Sequence, residues 1–276
     1  MPPIVHCVRH AQGFHNLSVE NHALPDPILT ELGKKQCHEL MERFPYHSDV
    51  ELVVASPLRR TIYTALLGFK PVFEERKEMK LIALPEAQET SDVPCDTGSD
   101  PAVLKKEFEE CSLPVDLSLL EEGWNIKTGR WAPTAMPLMN RAREARQWVK
   151  ARPEKEIVLV SHGGFLHYFT EDWEDSWFYQ GTGWTNTEFR TYQFSDAVDM
   201  EDLEGYPIGG DNATIVETPE SRKHRGKSAE APSRKEQEAL YRQGMAGWIR
   251  QNLQPSSAER RAAKVPEGRE VNGIRV

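Results

Sequence analysis

An arginine and a histidine stand side by side near the start of the chain, Arg9 and His10, at the end of a short apolar run, with Asn16 six residues after the histidine. Two more stretches carry residues of the same kind. ASPLRRTIYT (55–64) places Arg59 and Arg60 just after another apolar run, and SHGG (161–164) places His162 directly after IVLV. These residue types suit phosphoryl transfer. The group in flight spreads its charge over its equatorial oxygens, so fixed donors must surround it. Guanidinium forks meet a phosphate through two hydrogen bonds at once. A neutral imidazole is a nucleophile when its other nitrogen is held by a backbone carbonyl, and it splits the reaction into two steps. A carboxylic acid must then protonate the leaving oxygen. Arginines opening a helix are unfavourable beside its positive end unless an anion sits there. Gly163 would let the backbone approach such an anion closely. Each stretch alone is also explained by a solvent-facing arginine or a half-buried histidine.

Their placement on the elements makes the case. PIVHCVR (3–9) reads as a strand. Residues 30–44 read as a helix capped by Thr30, with Cys37, Leu40, Met41 and Phe44 at helical spacing. ELVVAS (51–56) reads as a strand, and 57–68 as a helix with Pro57 in its first turn. A strand near 79–84, an irregular insertion over 91–132, a helix over about 134–151 and a strand running into HGGFLHYF complete the pattern. Strands alternating with helices predict an α/β fold, a mostly parallel central sheet with helices on both faces. Sites on such sheets lie at the carboxyl ends of strands, where Arg9, His10, Ser56 and His162 all fall.

Composition bounds the rest. A chain of 276 residues is long enough for one large α/β domain. No apolar run approaches a membrane span, and the N-terminus has no signal-peptide character. Four scattered cysteines without a CxxC pair point to a reducing, cytoplasmic or nuclear setting. The net charge of −9 is uneven: residues 217–276 carry 13 Lys+Arg against 8 Asp+Glu, so the body is strongly acidic. That argues against nucleic acid as a partner. After residue 217, SRKHRGKSAEAPSRKE reads as a flexible polar linker. Tyr241, Met245, Trp248 and Ile249 then mark a candidate amphipathic helix over 235–253, followed by a disordered end. The oligomeric state is left open.

Other chemistries fit less well. The DTGS of CDTGSD (95–100) belongs to aspartic proteases, but these need two copies in an all-β fold, so a loop beside the cleft is the better reading. HGG also occurs in α/β-hydrolases, yet no G-x-S-x-G elbow exists. His6, His10 and His15 lack a carboxylate cluster that would complete a metal site. Trp124, Trp131, Trp173, Trp177 and Trp184 read first as packing residues, with Trp124 and Trp131 as the two that could roof a pocket.

Taken together, the motifs resemble the histidine phosphatase superfamily, the phosphoglycerate-mutase-like proteins, over about residues 3–195, and most of all fungal members of the mutase-type branch. The family's R-H-G with a following Asn is met by Arg9, His10 and Asn16, with Ala11 in place of glycine. Its S-x-L-x-R-x-x-x-T is met by Ser56, Leu58, Arg60 and Thr64, which makes Arg59 a bystander. Asp26, Leu29, Thr30, Gly33 and Gln36 match the run between these motifs, and His162 with Gly163 match the late H-G. The resemblance implies a three-layer phosphoglycerate-mutase-like sandwich over 1–217, with 91–132 as an inserted cap and 218–276 as linker and tail. It implies a metal-independent, cofactor-free phosphatase acting on a small phosphomonoester through a phosphohistidine on His10. Arg9, Asn16, Arg60, His162 and Gly163 would hold the phosphoryl group. The proton donor would be a glutamate after the third strand: Glu89 is preferred because it enters the loop, with Glu86 as the fallback. Alternatives are a mutase-type isomerase, disfavoured by an insertion whose only bases are Lys105, Lys106, Lys127 and Arg130, and a non-catalytic phosphate-binding module.

Overall fold

Alternating side chains along each central strand are apolar in both directions, so the sheet must be covered on both faces. Val5, Cys7, Leu52, Val54, Ile157 and Leu159 pack in one core, while Val8, Val53, Ala55, Val158 and Val160 pack in the other. The computed structural model describes residues 1–176, 181–195, 213–251, 270–271 and 274–275. The elements run β1 (Ile4–Arg9), α1 (Glu31–Arg43), β2 (Leu52–Ala55), α2 (Arg59–Gly68), α3 (Lys70–Glu75), β3 (Leu81–Ala83), α4 (Pro101–Glu110) and β4 (Val115–Asp116). They continue with α5 (Ala135–Lys150), β5 (Glu156–Ser161), α6 (Gly163–Thr170), β6 (Phe189–Phe194), β7 (Ile215–Glu217), α7 (Pro219–His224) and α8 (Arg234–Arg250). The sheet order is β4-β3-β2-β5-β1-β6-β7. The first five strands of that order are mutually parallel, β6 runs antiparallel to β1, and β7 runs antiparallel to β6. This is the expected α/β sandwich: α1 to α4 cover one face and α5, α6 and α8 the other.

Register decides what meets at the sheet's edge. Arg9 pairs with Ser161, and Ala55 with Val160. His10 N–H donates to Ser161 O at 2.9 Å and Ser56 N–H to Val160 O at 3.0 Å. The residues that leave β1, β2 and β5 therefore emerge together.

Three expectations change. The insertion over 91–132 is only partly irregular: it contains α4 and the edge strand β4. Pro57 lies outside α2, whose N-cap is Leu58. The segment read as a flexible linker is helix and ion-paired turn. Thr218 caps α7, Arg222 is 1% exposed, and Arg225 and Lys227 reach Asp175 at 2.8 and 2.7 Å. Low apolar content predicted disorder because charges were counted as solvated. Here the body's own carboxylates, Asp172, Glu174, Asp175 and Glu217, pair with them. The expected amphipathic helix is α8, opened by a Ser233–Glu236 capping box. Trp248 seats it, its indole N–H donating to Ser176 O at 2.8 Å. Residues 252–253 of its predicted span, most of the end read as disordered, and Trp177 lie outside the described residues. No helix among those described is long and apolar enough to cross a membrane.

Candidate active site

The end of β1 turns sharply, and the turn fixes His10. Its Nδ1 is 2.7 Å from Ala11 O. A carbonyl only accepts, so Nδ1 carries the proton and Nε2 keeps the lone pair. Burial and the neighbouring Arg60, His15 and Arg9 push the imidazole's pKa well below its ordinary value, so it is neutral. Ala11, at the position of the expected glycine, is fully buried and is not among the non-glycine residues with positive φ. Its N–H donates to Thr64 Oγ1 at 3.0 Å. Alanine therefore fits without strain, and Thr64 ties the turn to α2.

Arg60 is the centre of the group. It is 1% exposed, and its guanidinium reaches His10 Nε2 at 3.3 Å, His162 Nδ1 at 3.0 Å, Cys95 O at 2.6 Å and Asp96 Oδ1 at 2.9 Å. Because Arg60 donates to Nδ1, His162 carries its proton on Nε2, 2.8 Å from Ser56 Oγ. Arg59 turns away to Glu107 and Ser99 at 2.6 and 2.9 Å. The acceptor at this helix start is Asp26, which takes the Arg59 N–H at 2.9 Å and both the N–H and hydroxyl of Ser99. Asp26 thereby pins the CDTGS loop so that Asp96 faces Arg60, while Ser91 Oγ holds the other Asp96 oxygen at 2.6 Å. Arg9 lies at the same edge. One guanidinium nitrogen donates to Trp184 O, and its buried Nε has no partner among the described residues.

Glu89 and Glu86 part company. Glu86 faces outward to Arg130 at 2.8 Å. Glu89 turns inward and caps α6: Phe165 N–H reaches its carboxylate at 3.0 Å, Gly164 N–H at 3.3 Å and its neighbour Thr90 N–H at 2.8 Å. The acceptor at this helix N-terminus is thus the Glu89 side chain, at the place where the sequence suggests a bound anion. A side chain at Gly164 is excluded, since a Cβ there would stand 2.6 Å from Glu89 Oε1. At Gly163 it would stand 2.0 Å from Thr182 Oγ1, with Arg9 Nε just beyond at 3.5 Å. Burial, then the Asp96 charge, push the Glu89 carboxyl above its ordinary value, against the N–H donors and Arg60. A carboxyl raised that way can give up a proton to a neighbouring oxygen more readily near neutral pH.

Arg9, His10, Arg60, Glu89, His162 and Gly163 are brought together. Asn16 is not: it is exposed, and its Oδ1 accepts Gly13 N–H at 3.1 Å within the turn after β1. Sequence reasoning missed four contributors. Asp96 was noticed only as part of a protease-like string. Arg141 of α5, 2% exposed, donates to the carbonyls of Glu86 at 2.8 Å, Glu89 at 3.3 Å and Gln88, and so holds the loop that carries Glu89. Burial lowers its pKa to about 10. Lys127 reaches in from the insertion, its Nζ 3.2 Å from Glu89 O. Burial, and secondarily Arg141, push it down to about 7. His15 is the fourth, its ring centroid 5.4 Å from that of His10. Trp124 is a core residue, 1% exposed against Gly98. No group of three or more His, Cys, Asp or Glu among the described residues could hold a metal ion.

Comparison with known proteins places the whole stretch that carries these residues in one family. The family described as the histidine phosphatase superfamily (branch 1) matches residues 5–197. A phosphoglycerate mutase-like protein of Arabidopsis thaliana is 30% identical over 201 residues, covering 59% of this chain and 72% of that one. A probable phosphatase of Schizosaccharomyces pombe is 27% identical over 173 residues, covering 60% and 76%. Among solved structures, the ecdysone phosphate phosphatase of Bombix mori in complex with tungstate is 17% identical, covers 69% of this chain and 89% of its own, and has a TM-score of 0.48.

Proposed function

The chain belongs to branch 1 of the histidine phosphatase superfamily, and on that premise we propose that it hydrolyses a small phosphomonoester through a phosphohistidine on His10. The observation that carries this reading is the tautomer of His10: Nδ1 is committed to the Ala11 carbonyl, which leaves the Nε2 lone pair beside Arg60. In the first step Nε2 attacks phosphorus and the bond to the leaving oxygen breaks, while the Glu89 carboxyl gives a proton to that oxygen. In the second step Glu89, now a carboxylate, takes a proton from water as the water oxygen attacks the phosphohistidine, releasing phosphate and restoring His10. Arg9, Arg60, His162 and the Gly163 N–H hold the phosphoryl oxygens. Asp96 holds Arg60 and yields it to the substrate. Asn16 acts through the turn it closes. No step calls for a metal.

The mutase alternative needs bases from the insertion that grip a carboxylated substrate. Lys105 and Lys106 stand on the outer side of α4 beside Glu109 and Glu110, and Arg130 pairs with Glu86 and Glu144. Only Lys127 of that set turns inward, which favours the phosphatase. The four cysteines are free thiols, which supports a cytoplasmic or nuclear place of action. The test is hydrolysis of an aryl phosphate by protein treated with chelator, with His10→Ala as the control. We expect turnover by the wild type and none by the variant. Equal, background-level release from both across a broad panel of phosphate esters would refute the reading.

A further inference from the structure

His15 has no part in the steps above, yet it lies among the groups that perform them. It sits in the short helical turn Phe14–Asn16 and is 7% exposed. Its ring centroid is 5.4 Å from that of His10, close to the 5.1 Å that separates His10 from His162. The buried histidines are His6, His10, His15, His162 and His167. His6 is held by Thr191 Oγ1 at 3.0 Å and Glu156 at 2.6 Å, and His167 by the carbonyls of Asp172 and Thr182. His10 and His162 have the partners already described. His15 alone of the five has neither ring nitrogen hydrogen-bonded among the described residues. Its Nδ1 is buried without a partner.

The chain makes room for this ring. A Cβ on Gly13 would lie 2.8 Å from His15 Nδ1 and 2.9 Å from Cε1. The glycine missing at position 11 thus has a counterpart at 13, where its bareness admits an imidazole. A buried polar ring without a partner is costly unless something completes it. The groups that face His15 are Arg9 from β1, Arg60 from α2, His10, and His22 from the following turn. Burial, then the Arg60 and Arg9 charges, hold the ring neutral. On the far side of Arg60 stands Asp96, which it meets at 2.9 Å. A cation-lined space beside an unpaired donor calls for an anion.

We propose that His15 is a further phosphate-binding residue, donating a ring N–H to a phosphoryl oxygen of the monoester seated against His10. The proposal rests on the phosphatase reading of the site. A dianion placed there opposes the charge of Arg9 and Arg60, so His15 takes up a proton from solvent as phosphate binds.

Binding of inorganic phosphate tests this directly, by calorimetry near neutral pH in two buffers of different ionisation enthalpy. The expectation is proton uptake by the wild type. His15→Gln and His15→Phe should each weaken phosphate binding roughly tenfold to a hundredfold, the worth of a hydrogen bond to a charged group, and should take up fewer protons. Wild-type affinity and wild-type proton uptake in both variants would overturn the proposal. Should the variants fail to fold, nitrogen-15 histidine spectra of the wild type decide. A His15 ring signal unmoved by saturating phosphate overturns it, and a shift towards imidazolium supports it. Wild-type protein that binds phosphate but hydrolyses no aryl phosphate would remove the phosphatase reading and leave His15 as a binding residue.

Discussion

Two buried charge clusters flank β6, and they are built in opposite senses. In the first, Arg190 meets Asp172, Asp175 and Glu188, and Arg225 meets Asp172, Asp175 and Glu217. Burial opposes the charge on Arg190, but Tyr192, Glu188 and Asp172 overcome it and raise its pKa. Burial likewise opposes the charge on Asp172, but Arg190 and Arg225 hold its carboxyl below the ordinary range. Against burial, Arg225 and Asp175 are likewise shifted toward their charged forms by their partners, Arg225 first by Glu217 and Asp175 first by Lys227. In the second cluster, around His10, the shifts run the other way. Burial, with the surrounding cations, lowers His10, His15, His162 and Lys127, and burial with Asp96 raises Glu89. Charges gathered for their own sake satisfy one another, while charges gathered for a ligand remain unsatisfied until it arrives.

Mutations should separate the two. The largest effect expected on chemistry is at Glu89. Glu89→Gln keeps an acceptor for the α6 amides but cannot donate an acid proton, so kcat/KM should fall about 10²- to 10⁴-fold, with no loss of melting temperature. Arg190→Met should do the reverse. It strands buried carboxylates at a cost of about 3–5 kcal/mol, readable in urea unfolding, with turnover per folded molecule nearly kept. If both variants lost activity and stability in the same proportion, the distinction between the clusters would fail.

Acidity offers a finer separation. Between the ordinary carboxyl range and Glu89's raised value, the folded state holds a proton that the unfolded state has lost, so stability falls as pH rises through that window. Asp172 and Asp175, held low, contribute stability above an unfolded pKa of 3.8 that is lost as pH falls below it. Lys127 gives a third signature. Its value is 10.5 when unconstrained and about 7 when folded, so its cost is full below pH 7 and fades as pH rises towards 10.5. Lys127→Met should therefore raise the melting temperature at pH 6–7, and its advantage over the wild type should shrink by pH 10. A lead that is constant across that range would mean that Lys127 is not strained by burial.

The same contrast explains what could be read from the sequence. β1, β2 and β5 announce themselves because both faces are apolar, and Arg9, His10 and His162 follow directly at their ends. Arg60 is legible from its offset to Ser56 and Thr64. Arg141 and Lys127 are not: each is a lone cation in a helix or loop, and sequence alone assigns such residues to solvent. β6 escapes notice because FRTYQF carries Arg190, a charge that is buried only because distant carboxylates receive it. The linker reading of the stretch after 217 fails for the same reason, since Arg222, Arg225 and Lys227 have partners on other elements. Glu89 is favoured over Glu86 in the sequence by its entry into the loop. What turns it inward, the amides of Gly164 and Phe165, is signalled by the second glycine of SHGG. His15 had a signal too, in a glycine two residues before a histidine, which is informative only once the ring is seen to rest on it.

The smallest effect expected is at the departure from the family pattern. Ala11 is fully buried, sits at an unstrained φ, and ties its N–H to Thr64. Its methyl group packs with Leu29 and Cys37 under the turn. Ala11→Gly restores the pattern's residue but frees the unfolded chain and empties that contact, so it should lower stability by about 0.4–1 kcal/mol. Activity should change by no more than a few-fold, because the Ala11 carbonyl that orients His10 belongs to the backbone and is kept. Gly13→Ala, two residues on, should behave quite differently, because its new methyl meets the His15 ring. A large gain in turnover from Ala11→Gly would mean that the alanine methyl narrows the phosphate pocket, and that His10 is held less well by its own backbone than the 2.7 Å contact to Ala11 O indicates.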